Sequence, residues 1–287
     1  MSPLPDASAP AANAALLRLR DESLEACLCH PAAPFAQNPN RDLGLSHDSA
    51  AAQLQALRPW LIEQQHLLRM RRREALLIWL QGPDCAGKDG AIERLCAGFS
   101  PLGLAVHSFG RPTVAQCTAP FLARYRQRLP EPGQLGLFNR TPYEGVASDL
   151  FDGFIDAEAL PARLIQLADF EDQLAAHGIR LLKVYLQISQ AEQHARLRKR
   201  LLDPRKHWKL CADDLTAHRQ FAAREAHWAA LLRASHRPEA PWYILPANHK
   251  WLRDLLLASL LARAFETLQQ TWPTPTPPFT LEALERG

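Results

Sequence analysis

The stretch GPDCAGKDG, residues 82–90, decides the fold of this chain. It follows the apolar run 75–80, and its two outer glycines bracket the residues before Lys88. Gly82 can take a positive φ at a tight turn, and Gly87 lets the backbone close around an anion. Successive backbone amides and the N-terminus of the next helix then converge on phosphate oxygens, and Lys88 adds a positive charge. The spacing predicts a phosphate-binding loop between a buried strand and a helix.

Two aspartates distinguish this loop from the common Walker A pattern GxxxxGK[ST]. Asp89 stands where that pattern has the hydroxyl that ligates Mg²⁺. Asp84 lies inside the loop, where phosphate repels a carboxylate unless a divalent cation or a proton lies between them. We therefore expect Asp84 to be a metal ligand or a proton acceptor. The loop residues expected to contact phosphate are Gly82, Cys85, Ala86, Gly87, Lys88, Asp89 and Gly90. A plain strand-to-helix turn capped by an aspartate is the alternative interpretation.

The composition sets bounds on the class of protein. A chain of 287 residues that is 47% hydrophobic can bury one large α/β core, and roughly one to two domains are expected. A net charge of +3 is too small for a general nucleic-acid or membrane surface, so any polyanion site must be a local cluster. The six irregularly spaced cysteines predict no disulfide framework. We expect a cytoplasmic protein with no export signal, no membrane span and no nucleic-acid partner.

The order of the apolar runs predicts the architecture. Short runs alternate with helical stretches, which is typical of a parallel sheet covered by helices on both faces. The five predicted strands are 75–80, 105–109, 135–138, 181–188 and 242–245. We therefore expect a three-layer α/β fold with a parallel sheet of about five strands. Ligands of such sheets bind beyond the carboxyl ends of the strands, where residues 82–90 and 139–144 lie.

Shifts in composition mark three parts of the chain. Residues 1–45 are rich in Pro, Ala and Asn with little periodicity, which predicts a flexible N-terminal arm with one short helix near 14–27. Ser46 or Asp48 can cap a helix whose leucines recur at helical spacing, so the folded domain is expected over 46–270. Closely spaced prolines predict a non-helical tail over 271–287.

A second cluster, FNRTPYEG at residues 138–145, follows a predicted buried strand. Enzymes with a phosphate-binding loop of this kind carry at this place the acid that holds Mg²⁺, directly or through water. Here the residue is Asn139, whose amide oxygen can bind the metal or its water but adds no charge. Arg140 can form two parallel hydrogen bonds to a phosphate. An ordinary turn after a strand is the alternative, and the loop at 82–90 favours the functional interpretation.

The third cluster is the most charged part of the chain. Residues 196–209 hold seven cations, opposed within this window by Asp203 alone. The cations are Arg196, Arg198, Lys199, Arg200, Arg205, Lys206 and Lys209. Asp203 and Pro204 are expected to end a helix here. The segment could fold over bound phosphates as a lid, placed at about 190–235, that adds positive charge and excludes water. A solvated basic helix is the alternative interpretation.

At these clusters the sequence resembles the polyphosphate kinase 2 family, whose members transfer phosphoryl groups between inorganic polyphosphate and nucleotides. The likeness runs from about Leu67 to about Leu268, some two thirds of the chain. QGPDCAGKDG at 81–90 is similar to the family's loop, and FNRTPYE at 138–144 is similar to its second phosphate motif. RLLDPRKHWK at 200–209 is similar to its lid, and APWYILPANHKW at 240–251 is similar to its terminal strand.

The resemblance implies a P-loop kinase-like fold with a helical lid. It also implies a reversible, Mg²⁺-dependent transfer of the terminal phosphoryl group between polyphosphate and a nucleoside mono- or diphosphate. By the same resemblance Asp84 and Asn139 would hold the metal, and the implied catalytic residues are Asp84, Lys88 and Arg140. The implied lid contacts to phosphate are Arg200, Lys206 and Lys209, and the implied nucleotide contacts are Arg124, Asn139, Arg140, Tyr143 and Glu144. A homo-oligomer is the expected state of association.

Two other functions remain open from the residues alone. An ATP-dependent kinase of a small metabolite could use the same loop, because the loop grips phosphate whatever molecule carries it. A catalytically weak protein that binds polyphosphate or nucleotide would also need these cations. Formation of ATP from ADP and polyphosphate would separate both alternatives from the leading hypothesis.

Overall fold

The computed structural model describes residues 17–113, 116, 119–151, 153, 156–272 and 276–286. Residues 1–16 of the predicted arm, and residues 273–275 and 287 of the predicted tail, lie outside this described part. The described residues form a mixed α/β structure in which one five-stranded sheet lies between two layers of helices. The three-layer α/β fold predicted from the sequence is confirmed.

All five strands of the sheet run parallel. They are β1 (Ala75–Gln81), β2 (Leu104–Ser108), β3 (Leu135–Asn139), β4 (Ile179–Gln187) and β5 (Trp242–Pro246). Their order is β2-β3-β1-β4-β5, so β1 is the central strand with β3 and β4 as its neighbours. Every residue of β1 is buried, as expected for a strand covered on both faces. Leu80 near the end of β1 pairs with Asn139, which brings the two predicted phosphate motifs to the same edge of the sheet.

Most of the helices pack on the two faces of the sheet, whereas the last one, at Leu281–Glu285, is exposed throughout and corrects the prediction of a non-helical tail over 271–287. They are α1 (Asp21–Glu25), α2 (His47–Arg71), α3 (Lys88–Leu95), α4 (Ala123–Arg126), α5 (Glu144–Phe151), α6 (Leu160–Ala176), α7 (Gln190–Leu202), α8 (Ala212–Arg219), α9 (Phe221–Ser235), α10 (Lys250–Thr267) and α11 (Leu281–Glu285). Short 3₁₀ turns lie at Pro101–Gly103, Ala157–Ala159 and Pro204–Lys209. In the described part of the chain, no helix is both long enough and apolar enough to span a membrane.

Alternate residues of β1 supply two separate hydrophobic cores, because successive side chains of a strand point to opposite faces. Leu76, Ile78 and Leu80 pack with α2, α3 and α10 on one face. Leu77 and Trp79 pack with α5, α6 and α9 on the other face. The central strand is thus held from both sides, and the loop that follows it starts from a fixed position.

Helix α2 begins where the sequence predicts. Ser46 caps it, because the Ser46 hydroxyl accepts a hydrogen bond of 3.1 Å from the backbone N–H of Ser49, and the Ser49 hydroxyl accepts one of 2.9 Å from the N–H of Ser46. The helix ends at Arg71 because Arg72 takes the left-handed conformation, with φ at 47°. The chain can then turn directly into β1.

The described residues of the N-terminal segment pack on the domain, which corrects the prediction of a flexible arm for residues 17–45. Leu24 and Cys27 are fully buried in the core formed with α2 and α10. Leu28 forms an antiparallel bridge with Tyr243 of the edge strand β5. The N–H of Ile244 donates to the carbonyl of Cys27 at 2.6 Å. This pairing covers β5, which would otherwise be an open edge strand. The segment is rich in turn residues, so its sequence did not predict the pairing.

The segment after β4 forms the helices predicted as a lid. Helix α7 ends at Leu202, and the Asp203 carboxylate accepts a hydrogen bond of 3.2 Å from the N–H of Arg205. The helix therefore stops at Asp203 and Pro204, as predicted. The 3₁₀ turn Pro204–Lys209 and helices α8 and α9 follow, and they return the chain to β5.

Candidate active site

The predicted phosphate-binding loop joins the end of β1 to the start of α3. Gly82 has φ at 148°, and a Cβ added there would lie 2.7 Å from the carbonyl oxygen of Leu186 on the neighbouring strand. Gly87 has φ at 91° and is the N-cap of α3. The two predicted glycine positions thus require glycine, one by close approach and the other by its left-handed backbone. Cys85 also has a positive φ, of 67°, so the loop is strained at a non-glycine residue.

A buried arginine of α7 holds the loop in shape. Arg196 donates through Nη1 to the carbonyl oxygens of Cys85 and Ala86, at 2.9 Å each. Through Nη2 it donates to Ala247 and Asn248 at 2.6 and 3.0 Å. One guanidinium therefore joins the loop, the segment after β5 and the first helix of the lid. The sequence placed Arg196 among the lid cations and gave no sign that it supports the loop.

A second arginine and a glutamine complete this support. Arg253 of α10 donates through Nη1 to the carbonyl oxygen of Gly87 at 3.2 Å, and Gln193 donates to that of Asp84 at 3.0 Å. The N–H and C=O of a trans peptide point in opposite directions. With these carbonyls bound on one side, the following amides, including that of Lys88, point to the other side, where anions can approach. Arg253 lies in an apolar helix, and the sequence analysis missed it for that reason.

Lys88 lies at the centre of the loop. Its ammonium donates to the carbonyl oxygens of Gly82 and Pro83 at 2.7 and 3.2 Å. Burial lowers the pKa of Lys88, and the negative charge of Asp84 opposes this effect by favouring the charged form. The lysine is therefore a desolvated cation, and its attraction to phosphate is screened less than that of an exposed lysine.

The turn after β3 places the second predicted motif against the loop. Asn139 donates through Nδ2 to Asp89 Oδ1 at 2.6 Å. Arg140, with φ at 70°, lies with Nη2 at 3.3 Å from Asp84 Oδ1. Glu144 accepts a hydrogen bond of 2.6 Å from Gln81 at the end of β1. The structure thus places Asn139, Arg140 and Glu144 of the second motif against the loop and the end of β1.

The two predicted metal ligands offer oxygen atoms beside the loop. Asn139 turns its amide nitrogen to Asp89, which leaves its carbonyl oxygen for a metal ion or a metal-bound water. The Asp84 side chain is 39% exposed and lines both cavities of the site. Within the described residues, no group of three or more His, Cys, Asp or Glu side chains could hold a metal ion by itself. These oxygens fit a divalent ion that completes its coordination with water and substrate phosphates.

The loop opens into a cavity of about 1010 Å³. Its charged lining includes eight cations and five carboxylates. The cations are Lys88, Arg111, Arg124, Arg140, Arg163, Arg200, Lys209 and Arg224. The carboxylates are Asp84, Asp89, Glu144, Asp213 and Asp214. A second, smaller cavity of about 70 Å³ shares six lining residues with the first, which are Asp84, Lys88, Arg140, Glu144, Ala217 and Arg224.

Aromatic rings hold one wall of the larger cavity. The guanidinium of Arg124 lies 5.2 Å from the ring centres of both Phe109 and Tyr125, and it donates to the carbonyl oxygen of Gly110 at 2.7 Å. A guanidinium that stacks on rings keeps a defined direction. Arg124, predicted to contact nucleotide, is therefore in the cavity and fixed in orientation.

Residues of the predicted lid segment also line the larger cavity. Arg200 donates to the carbonyl oxygen of Lys209 at 3.3 Å, and both side chains line the cavity. Arg111, which follows β2, forms an ion pair of 3.1 Å with Asp213 of α8. This pair joins the residues that follow β2 to the predicted lid segment, and both side chains line the cavity.

Four predicted contacts lie elsewhere, and one of them is Gly90, which lines neither cavity. Tyr143 is buried in the core, where its hydroxyl donates to Glu171 at 2.7 Å, and this position corrects its prediction as a nucleotide contact. Lys206 is paired with Asp203 at 3.0 Å and lines neither cavity, so it is not in place as a phosphate contact. Ala86 is fully buried, and its amide donates to the carbonyl of Pro83. The conformation of each turn decides which side chains face the cavity, and the spacing of residues in a motif does not predict that conformation.

The fold and the site together define a P-loop phosphotransferase, with a phosphate-binding loop at the end of the central strand and a cation-rich cavity above it. The family model described as Polyphosphate kinase 2 (PPK2) matches residues 44–272. The chain therefore belongs to the polyphosphate kinase 2 family, and it is a kinase enzyme of the polyphosphate-nucleotide class. Phosphoryl transfer in kinases generally needs a divalent metal ion.

Named relatives and a solved structure agree with this assignment. A protein of Meiothermus ruber named AMP/ADP-polyphosphate phosphotransferase is 34% identical over 227 residues, which cover 79% of this chain and 85% of that protein. An ADP-polyphosphate phosphotransferase of Rhodopseudomonas palustris is 32% identical, with coverage of 78% and 82%. The crystal structure of polyphosphate kinase 2 from Arthrobacter aurescens TC1 matches with a TM-score of 0.80 and 31% identity, over 88% of this chain and 91% of that chain. The predicted family and P-loop kinase-like fold are confirmed.

Proposed function

We propose that this protein transfers the terminal phosphoryl group between inorganic polyphosphate and a nucleoside mono- or diphosphate, with Mg²⁺ as the metal. The observation that carries the proposal is the position of Lys88 and Arg140, which line both cavities beside the phosphate-binding loop. Two phosphate-bearing substrates that meet at the loop would place the transferring group against both cations. The names of the relatives support polyphosphate as one substrate and a nucleotide as the other.

The charges of the larger cavity support a polyphosphate donor. A chain of phosphates presents repeated negative charge and no base, so it is recognised by a row of cations rather than by a base-specific pocket. The lid supplies Arg200 and Lys209 to such a row. Arg124, on the far wall beside Phe109 and Tyr125, is suited to the phosphates of the nucleotide.

In the proposed reaction the chain's own residues position the phosphates and stabilise their charge. The loop amides and Lys88 hold the transferring group, while Arg140 supplies a second positive charge as charge redistributes in the transition state. Asp84 and Asn139 would hold Mg²⁺, which supplies further neutralisation of the phosphate oxygens when bound. A lid that closes over the phosphates would exclude water, which would otherwise accept the phosphoryl group.

The reaction should run in both directions. A phosphoanhydride bond breaks and another forms, so the two sides differ little in bond chemistry. A nucleoside diphosphate accepts the phosphoryl group to become a triphosphate, and the polyphosphate becomes one phosphate unit shorter. The ratio of nucleotides and the supply of polyphosphate would then set the direction.

A nucleotide panel tests the proposal directly. Purified protein with Mg²⁺ and polyphosphate should convert ADP to ATP and AMP to ADP, and a chelator should stop both reactions. Incubation of ATP with polyphosphate should give ADP and a longer polymer. Activity only with ATP and an acceptor that is not a nucleotide would contradict the proposal, as would binding of polyphosphate without turnover.

Three further properties belong to this proposal. We infer a cytoplasmic enzyme that works as a homo-oligomer, with residues 46–270 as its catalytic domain. The small net charge of +3 supports the absence of a nucleic-acid or membrane partner. Light scattering during gel filtration tests the state of association, and a single mass equal to one chain would contradict it.

A further inference from the structure

A cluster of positive charges lies beside the loop but lines neither of the two cavities. We call it the outer cluster and define it as Arg94 of α3, Lys199 of α7 and Lys250 of α10. All three side chains are exposed. The three residues come from separate parts of the sequence, so the fold, rather than a run of like charges, brings them together.

Ion pairs and hydrogen bonds of neighbouring residues fix the outer cluster in place. Arg94 and Arg253 share the carboxylate of Asp254, Arg94 at Oδ2 and Arg253 at Oδ1. Arg196, which precedes Lys199 on α7, donates to the carbonyl oxygen of Asn248, two residues before Lys250. The three helices that carry the cluster are therefore tied to one another underneath it.

The cluster has more positive charge than its surroundings neutralise. Asp254 already binds two arginines, and neither Lys199 nor Lys250 forms an ion pair with any described residue. Partial burial of Lys250 lowers its pKa, and the nearby charges of Arg196, Arg253, Arg94 and Lys199 lower it further. Lys250 is also the first residue of α10, where the helix dipole disfavours a cation. A bound anion would offset the repulsion among these cations and the unfavourable helix dipole at Lys250.

The lid helix connects this cluster to the active site. Lys199 is next to Arg200, which lines the larger cavity. A polymer that leaves the cavity past Arg200 would meet Lys199 and then Lys250 and Arg94 outside. A nucleotide has only a few phosphates, and those must remain at the loop to react. The chemistry of the cluster and its position therefore favour a long chain of phosphates.

We propose that the outer cluster of Arg94, Lys199 and Lys250 binds the part of a polyphosphate chain that extends beyond the active-site cavity. This proposal rests on the proposed function, because it assumes polyphosphate as a substrate. The cluster would act as an anchor that raises affinity for long chains. Free phosphate and the phosphates of a nucleotide share the same chemistry, so the test must separate these sources from the polymer.

The test compares long-chain polyphosphate with a short polyphosphate that the larger cavity can contain whole. The variant Lys199→Gln/Lys250→Gln should raise KM for the long chain about fivefold to tenfold, since two exposed ion contacts are lost. The value of kcat, KM for the short chain and KM for the nucleotide should not change. The salt dependence of KM for the long chain should also become weaker, because fewer counterions are exchanged on binding.

A matched control uses two other exposed cations of the lid segment. Arg198→Gln/Arg205→Gln removes the same charge from residues that line neither cavity and lie outside the cluster. This control should leave KM for the long chain close to that of the unaltered protein. Both double variants should have the same Tm as the unaltered protein.

Several results would contradict the proposal that the outer cluster anchors long polyphosphate. These are an unchanged KM for long chains in Lys199→Gln/Lys250→Gln, an equal rise for both chain lengths, a rise for the nucleotide alone, or the same rise in the control. Failure of the proposed function looks different, because the unaltered protein would then use neither the long nor the short polyphosphate.

Discussion

Lys88 shows how one side chain depends on its surroundings. It is buried, its ammonium is held by two loop carbonyls, and Asp84 favours its charged form. In the proposed reaction this cation stabilises charge on the transferring group. Lys88→Ala should therefore lower kcat by roughly a hundredfold or more. Steady-state rates with ADP and polyphosphate measure this loss, with Lys206→Ala as the control, and near-normal turnover would remove Lys88 from the site.

Tyr143 was predicted from its motif to contact the nucleotide, and the structure gives it a different task. Its hydroxyl donates to the buried carboxylate of Glu171, which also accepts a hydrogen bond of 2.8 Å from Lys183. Tyr143→Phe should reduce the free energy of unfolding by about 1–3 kcal/mol, because a charged acceptor loses one buried donor. The nucleotide KM should stay the same. Denaturant unfolding and kinetics check the two parts, and a raised KM at unchanged stability would restore the original prediction.

Residue types and spacing identified most of this site, because a phosphate-binding loop requires glycines and a lysine at set positions. They could not tell which neighbours face the cavity. Arg140 reaches Asp84 because its own φ is positive, and this reverses the chain before Tyr143 enters the core. The backbone conformation of a single turn therefore separates two residues that the motif presents as equivalent.

Helix α7 both supports the loop and lines the cavity, and the sequence predicted only the second role. Arg196 faces inward and binds four backbone carbonyls, whereas Arg200 faces the cavity. The sequence grouped both with the seven cations of residues 196–209. Helical spacing places them together, but only the packing of α7 on the loop shows that one is structural. Burial of a charge inside a basic run has no sequence signal of its own.

Arg196→Lys tests the structural role, because lysine keeps the charge but cannot reach four carbonyls in fixed directions. Loss of hydrogen bonds from a buried charged group should reduce the free energy of unfolding by about 2–4 kcal/mol. The loop should also lose its shape, so kcat should fall by roughly tenfold. Thermal unfolding and kinetics measure both effects, with Arg198→Lys on the same helix as the control. A stable variant with full activity would contradict this role.

The lid cations act on polyphosphate in the proposed reaction. Arg200→Ala together with Lys209→Ala should raise KM for polyphosphate by roughly tenfold or more and flatten its dependence on salt, because both side chains line the cavity. Lys206→Ala should do neither, since Lys206 is paired with Asp203 outside the cavity. Initial rates over a range of ionic strength make the comparison. If the three substitutions behave alike, the lid acts only through its overall charge.

At the scale of the whole molecule, the alternation of strands and helices predicted the sheet and its two layers. That success has a physical reason, because a central parallel strand must be apolar on both faces and such strands are visible as short continuous runs. The N-terminal segment has no comparable pattern. Leu24 and Cys27 enter the core from a stretch of turns, so their burial depends on contacts with α10 and β5 that are distant in sequence.

The N-terminal segment should therefore contribute to stability and not to catalysis. Leu24 is fully buried, and Leu24→Ala should reduce the free energy of unfolding by about 2–5 kcal/mol through lost burial and a new cavity. Leu28 lies on the same segment but is 36% exposed, so Leu28→Ala should reduce the free energy of unfolding by about 1 kcal/mol or less. Neither residue lines the active-site cavities, so kcat below the melting range should stay constant. Equal unfolding curves for Leu24→Ala and the unaltered protein would mean that the arm is loosely attached in solution, and the edge strand β5 would then be open to pairing with another chain.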